Sequence, residues 1–255
     1  MIKNFKIIVL AAGKGTRLMP ITQNKPKCLV KVKGKSILER QLELFDRIGI
    51  IEKIVVSGYL NEKISNYNCI KIINNDFDTT NMVYSLMLAK EFLNGNVIIS
   101  YGDIIYKKNV LESLLKDPRD IVIASDSKWR DYWSKRFDDP LDDAESFIKG
   151  ENNFVSSLGQ RETNMDNIEG QFIGLIKLSN KGCEDFISAY NKCANDSYCS
   201  DKSWGSNRKL KLAYMTDLLN FFAKKNMLNF IEIERGWIEI DDLNDLEIAN
   251  KTKWI

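Results

Sequence analysis

The segment Leu10-Ala-Ala-Gly-Lys-Gly-Thr-Arg-Leu18 places two glycines and two cations, Lys14 and Arg17, directly after the apolar run 6–12. Gly13 and Gly15 let backbone amides approach phosphate oxygens closely, and a helix start just beyond adds a favourable dipole. The spacing is not that of the Walker A loop, and Leu18 stands where the dinucleotide fingerprint needs its third glycine. In Thr22-Gln-Asn-Lys-Pro-Lys-Cys-Leu29, Pro26 fixes the backbone ahead of Lys27. An ammonium held there can neutralise charge on a phosphate under attack, although Lys-Pro-Lys alone also suits a surface turn. Two aspartates far apart complete the set. Asp103 follows the apolar run 97–100, and Asp241 follows the alternating run 237–240. Hard carboxylate oxygens at strand ends suit Mg²⁺ that keeps waters and substrate phosphates as further ligands. Turn aspartates are the plainer reading, and Asp242 could exchange roles with Asp241.

Histidine is absent from all 255 residues. That excludes a Ser-His-Asp or Cys-His nucleophile pair, His-ligated zinc and an imidazole base. Chemistry must come from carboxylates, lysine, arginine, hydroxyls or backbone amides. The formal net charge is +2, yet nine Lys or Arg precede the first acid, Glu39, and the rest of the chain is net acidic. A nucleic-acid binder spreads positive charge over a face. Here the cations surround one Gly-rich loop, which fits a compact polyanion such as a nucleoside triphosphate. The apolar run 7–12 is too short for a membrane span or a signal core. Five cysteines, odd in number and without CxxC, read as free thiols of a cytoplasmic protein.

The elements that must position these groups alternate. Residues 6–12, 54–57, 70–73, 97–100 and 121–124 read as strands. Ser36-Ile-Leu-Glu39 is a capping box opening a helix that Gly49 closes, and a second helix is expected from Thr80 to a cap at Gly95, with Val83, Leu86, Lys90 and Leu93 on one face. Repeated β-α-β predicts a doubly wound, Rossmann-like α/β sheet, mixed but mostly parallel, with ligands beyond the strand carboxyl ends. The second half adds strands at 154–157, 172–178, 227–234 and 237–240. Helices are expected near 181–193, 215–225 and 243–251, and a loop over 191–208. Without a composition break, the whole of 1–255 reads as one domain: a nucleotide half to about 125, then an acceptor half carrying the second metal ligand.

Residues 10–18 followed by Pro26-Lys27 resemble the signature of the sugar-1-phosphate and phosphocholine nucleotidyltransferases. The stretch Asn74-Asn-Asp-Phe-Asp-Thr-Thr-Asn-Met-Val-Tyr-Ser-Leu-Met-Leu-Ala89 is similar to the base-binding segment of bacterial phosphocholine cytidylyltransferases. Trp237-Ile-Glu-Ile-Asp241 resembles their C-terminal metal motif. Trp133-Ser-Lys-Arg-Phe-Asp-Asp-Pro-Leu-Asp-Asp-Ala-Glu-Ser-Phe147 and Glu169-Gly-Gln-Phe-Ile-Gly174 look like the subgroup often fused to phosphonate-pathway enzymes. The resemblance implies that Leu10, Ala11, Ala12, Gly13, Gly15, Thr16 and Gly102 bind nucleotide, with Asn81 and Ser85 near base and sugar. Lys27 and Arg17 then act on the reacting phosphate, Asp103 and Asp241 hold Mg²⁺, and Trp133, Arg136 and Glu169 bind the acceptor.

Base and acceptor stay open at this level. CTP is favoured by resemblance. The acceptor could be phosphocholine, an aminoalkylphosphonate, or phosphoglutamine in capsule phosphoramidate synthesis. Trp129, Tyr132, Trp133 and Trp204 could cage a choline headgroup, or simply pack, and the acids within 138–145 suit any ammonium. No nucleic acid or membrane partner is expected, and a monomer or homodimer is. A sugar-1-phosphate nucleotidyltransferase using another NTP is the alternative within the class. A nucleotide-binding regulatory module without turnover is the alternative outside it.

Overall fold

The computed structural model describes residues 4–162 and 164–255. Its central sheet has seven strands: β1 (Phe5–Ala11), β2 (Glu52–Ser57), β3 (Ile70–Ile73), β4 (Asn96–Tyr101), β5 (Ile121–Asp126), β6 (Gln171–Leu178) and β7 (Asn229–Ile233). Their spatial order is β7-β5-β6-β4-β1-β2-β3. Neighbours run parallel except β6, which is antiparallel to both β4 and β5. The sheet is therefore mixed and mostly parallel, as the sequence pattern predicts. Because β6 enters between β4 and β5, both halves of the chain build the one sheet.

Apolar residues continue along β1 because both faces are covered. Ile7 and Val9 enter one core, Ile8 and Leu10 the other. Burying each such side chain stabilises by about 1.5–3 kcal/mol. The first core packs under α1 (Ile37–Ile48), α3 (Lys108–Lys116), α4 (Trp129–Arg136) and α8 (Leu243–Lys251). The second lies under α2 (Met82–Leu88), α5 (Asn180–Ala194) and α7 (Met215–Ala223). The capping box of α1 forms as expected: Glu39 N donates to Ser36 Oγ at 3.2 Å, Ser36 N to the Glu39 carboxylate at 3.3 Å, and Gly49 closes the helix.

Two expectations are corrected. The helix expected from Thr80 starts at Met82, because the Thr80 hydroxyl is spent on Asp76 O at 2.7 Å and Asn81 supplies the cap. It ends at Leu88, so Lys90 falls in a separate 3₁₀ turn and Gly95 caps nothing. The expected loop over 191–208 is also structured. α5 extends to Ala194, and α6 (Ser197–Asp201) follows, capped by Asp196. These turns bring Cys193 and Cys199 to a Cα separation of 5.0 Å, and they form a disulfide; only Cys28, Cys69 and Cys183 are free thiols. That removes the cysteine-based ground for expecting a reducing compartment. No helix among the described residues is long and apolar enough to cross a membrane.

One small element decides the site. Ile104–Tyr106 pairs antiparallel with Trp237–Glu239, and Ile240 N donates to Asp103 O at 3.0 Å. This ladder joins two segments some 135 residues apart, and with them Asp103 and Asp241.

Candidate active site

At the carboxyl ends of β1 and β4 lies a cleft of two adjoining cavities, about 540 Å³ and 320 Å³. The larger is lined by every residue expected to bind nucleotide: Leu10, Ala11, Ala12, Gly13, Gly15, Thr16, Asn81, Ser85 and Gly102. Arg17, Lys27, Asp103 and Asp241 line it too. Two glycines here are steric necessities. Gly15 has φ +70°, and a Cβ on it would meet Lys27 Cβ at 2.9 Å; the Thr22 hydroxyl anchors the same loop by donating to Gly15 O at 2.7 Å. A Cβ on Gly102 would meet both Ala11 Cβ and Leu10 O at 2.8 Å, so glycine lets the Asp103 turn lie against the end of β1. Asn81 caps α2 and lines both cavities, while Ser85 is buried and held by Asn74 Nδ2 at 3.0 Å.

The Lys27 ammonium bridges the two aspartates, donating to Asp103 Oδ2 at 2.6 Å and also to Asp241 Oδ1. Burial opposes its charge, but Asp103 and Asp241 outweigh burial and hold its pKa above the usual lysine value. Arg17 Nη2 donates to Asp241 Oδ2 at 2.7 Å, and Arg17 lines both cavities. Asp242 instead caps α8, accepting from Asp245 N at 2.9 Å, which leaves Asp241 as the cleft carboxylate.

A third carboxylate, Glu239, joins them. Ligand oxygens of Asp103, Glu239 and Asp241 all lie within 4.8 Å of one another. Residues two apart on a strand share a face, so the Glu-Ile-Asp spacing carried a signal for Glu239 that the sequence reading passed over. Burial, then Asp241, push the Glu239 carboxyl well above the usual range. Burial also works against the Asp241 carboxylate, but Lys27 and the two arginines hold it below its usual range. Asp103 Oδ1 is buried with no hydrogen-bond partner among the described residues. Three convergent carboxylates, one of which carries an orphaned oxygen, fit a divalent cation.

The expected acceptor residues separate. Trp133 lines the smaller cavity, edge-on to Trp129 and Tyr132. Arg136 does not line it. Its side chain is 0% exposed, donating to Asp245 Oδ1 and Oδ2 at 2.8 and 3.0 Å and to Glu239 Oε2 at 2.8 Å. It stands 3.7 Å behind Asp241, whose backbone N donates to Asp245 Oδ2 at 2.9 Å. Buried apposition of α4 and α8 turns the cation expected to bind the acceptor into an internal tie. Glu169 is exposed, accepts from Lys149 N at 2.6 Å and lines neither cavity. Trp129 and Tyr132 are buried core residues and Trp204 packs on Phe221, so the four aromatics form no common cage. Of the acids at 138–145, Asp143 and Glu145 alone reach the smaller cavity, beside Gln171 and Tyr214. Burial, reinforced by Asp143, pushes the Glu145 carboxyl up to about 7.

Known proteins resemble this chain in sequence and in fold. The chain is 38% identical over 253 residues to the CTP:phosphoglutamine cytidylyltransferase of Campylobacter jejuni, covering 94% of this chain and 97% of that protein. It is 39% identical over 106 residues to a choline-phosphate cytidylyltransferase of Streptococcus pneumoniae, 40% of this chain and 46% of the other. It is 35% identical over 128 residues to the CMP-5'-(3-aminopropyl)phosphonate synthase of Streptomyces rubellomurinus, 47% of this chain and 20% of that one. The solved structure of CTP:phosphocholine cytidylyltransferase from Streptococcus pneumoniae superposes with a TM-score of 0.73 at 22% identity, covering 97% of this chain and 98% of that chain, a likeness of fold. The family described as the MobA-like NTP transferase domain matches residues 7–161, and the chain belongs to it.

Proposed function

We propose that the protein moves CMP from CTP to a phosphate or phosphonate oxygen of a small acceptor bearing an amino or ammonium group, releasing pyrophosphate. The observation that carries this reading is the meeting of Lys27 and Asp103, in the larger cavity, with Glu239 and Asp241, which line both cavities. The larger has the glycine loop for a triphosphate, and the smaller has the acids. Relatives named for phosphoglutamine, choline phosphate and an aminopropylphosphonate all use acceptors of this chemistry.

An acceptor phosphate oxygen is already anionic, so its attack on the α-phosphorus needs no base, and the electron pair of the breaking P–O bond leaves with pyrophosphate. The protein's work is alignment and charge neutralisation. Backbone amides near Gly13 and Gly15 hold the phosphates. Lys27 offers a fixed cation to the α-phosphate as its charge builds. Arg17, spanning both cavities, steadies the two anions in line. Asp143 and Glu145 attract the acceptor's ammonium. A divalent cation, with Mg²⁺ the natural choice, would be held by Asp103, Asp241 and Glu239 and would supply positive charge at the phosphates.

Pyrophosphate release across four NTPs and an acceptor panel tests the assignment. CTP with phosphocholine, phosphoglutamine or an aminoalkylphosphonate should exceed every other pairing. Preference for glucose 1-phosphate would overturn the acceptor, and preference for another NTP would overturn the donor.

A further inference from the structure

Away from the cleft, a groove of about 350 Å³ opens between α1, the strand Ile104–Tyr106, the start of α3 and Trp254. It shares no lining residue with either cavity of the cleft. Four cations face it, Arg40, Arg47, Lys107 and Lys108, against one side-chain carboxylate, Glu43. Glu43 is already held by Lys35 at 2.6 Å and approached by Arg47 at 4.0 Å. Arg40 Nη2 donates to Val32 O at 2.6 Å, but its Nε is buried without a partner. Lys107 rests over the Trp254 ring at 5.3 Å, and neither it nor Arg40 pairs with a carboxylate among the described residues, whereas Lys108 is paired with Glu112 at 3.0 Å.

The start of α3 sharpens the imbalance. The first amides of a helix lack internal partners, and the positive dipole end is normally met by a capping oxygen or an acid. Ser36, Asn81, Ser179 and Asp242 do this for α1, α2, α5 and α8. α3 has no side-chain cap and no acid in its first turn; Lys107 and Lys108 stand there instead. Gln41 is a separate sign of a missing ligand. It is 2% exposed on the groove's inner wall; its Nε2 donates to Tyr101 O and Ile104 O at 2.8 Å, and its Oε1 has no partner.

We propose that this groove binds a small phosphate-bearing molecule. Its phosphate meets the α3 N-terminus between Lys107, Lys108 and Arg40, and a hydroxyl or amine donor turns toward Gln41. Gln41 also holds the backbone on both sides of Asp103, so occupancy of the groove bears on the turn that carries a cleft carboxylate.

Calorimetric titration of inorganic phosphate and of CMP, at low salt with EDTA present, tests the site in the wild type, Lys107→Glu and Lys27→Ala. Lys107→Glu places an acid at a helix start, which favours the helix, so lost binding there does not report misfolding; a melting curve checks this. Saturable phosphate binding is expected in the wild type, weakened by about tenfold or more in Lys107→Glu, the loss of one charged contact, and kept within about twofold in Lys27→Ala. CMP binding more tightly than phosphate, with the same dependence on Lys107, makes the ligand a nucleotide; equal affinity makes phosphate sufficient. Absent saturable binding, indifference to Lys107→Glu, or loss in Lys27→Ala would overturn the proposal.

Discussion

The two sides of the cleft are made in different ways. The side proposed for the nucleotide is mostly backbone: a loop at the end of β1 whose shape depends on Gly15 and on the close approach of Gly102 to Ala11. The side proposed for the acceptor is side chains, brought together by pairings such as Trp237–Glu239 with Ile104–Tyr106 and by the Arg136–Asp245 tie across 109 residues. Backbone loops tolerate few residue types but need few neighbours. Side-chain walls can be retuned one residue at a time, and related enzymes with different acceptors would be expected to differ there. The seam between the two sides is the carboxylate group around Lys27, and the largest effects should appear at that seam.

Asp103→Ala and Asp241→Ala should each leave a folded protein with activity lowered by about 10³ or more, since each opens the same charge assembly. The double mutant should be little worse than either single. Defects that multiply would place the aspartates in separate functions, and full activity in EDTA would remove the metal from the scheme. Lys27→Ala should lower turnover by about 10²–10³ while sparing CTP affinity, because its charge counts most as the α-phosphate changes. Turnover within threefold of wild type would take Lys27 out of the mechanism.

Arg136 tests the acceptor side from behind. Arg136→Met removes a buried cation and leaves Asp245 and Glu239 facing each other without it. Breaking such a buried pair destabilises by about 3–5 kcal/mol. Arg136→Lys keeps the charge but loses the two-point grip on Asp245. It should fold and should need more Mg²⁺ for half-maximal rate, with the acceptor KM little changed. A raised acceptor KM at an unchanged Mg²⁺ requirement would return Arg136 to a direct role in gripping the acceptor.

This contrast also explains what could be read from the sequence. The glycine loop, the buried β1, the Ser36–Glu39 capping box and the pairing of Asp103 with Asp241 were legible because each depends on residues close in sequence or on a motif that marks a strand end. Glu239 was legible in principle, two residues before Asp241 on one face of a strand. Arg136 was not, because nothing within residues 129–136 announces that α8 will cover it. The Cys193–Cys199 bridge stayed hidden because a polar stretch rich in Ser and Asn looks like loop, although the Asp196 cap on Cys199 N is a local signal for the short helix. Asp143 and Glu145 were indistinguishable from the neighbouring acids until the fold turned those two alone toward the cavity.

Glu145 gives the smallest effect and the finest test of the comparison. Its carboxyl is pushed up to about 7 by burial and by Asp143, so it is largely protonated at pH 6 and largely ionised at pH 8. The charged fraction rises about tenfold over that interval. An acceptor held through an ammonium should therefore show a KM that falls by up to about tenfold as pH rises from 6 to 8. The acceptor's own phosphate also ionises near pH 6, so propyl phosphate, which lacks the amine, serves as the control for that part. The difference between aminopropyl and propyl acceptors belongs to the carboxylates. Glu145→Gln should flatten that difference and raise the KM of the amine-bearing acceptor about tenfold at pH 8, with the CTP KM unmoved. If the two acceptors keep parallel pH profiles in the wild type, the acids of the smaller cavity do not read the ammonium. If Glu145→Gln weakens CTP and spares the acceptor, the two sides of the cleft have been assigned the wrong way round.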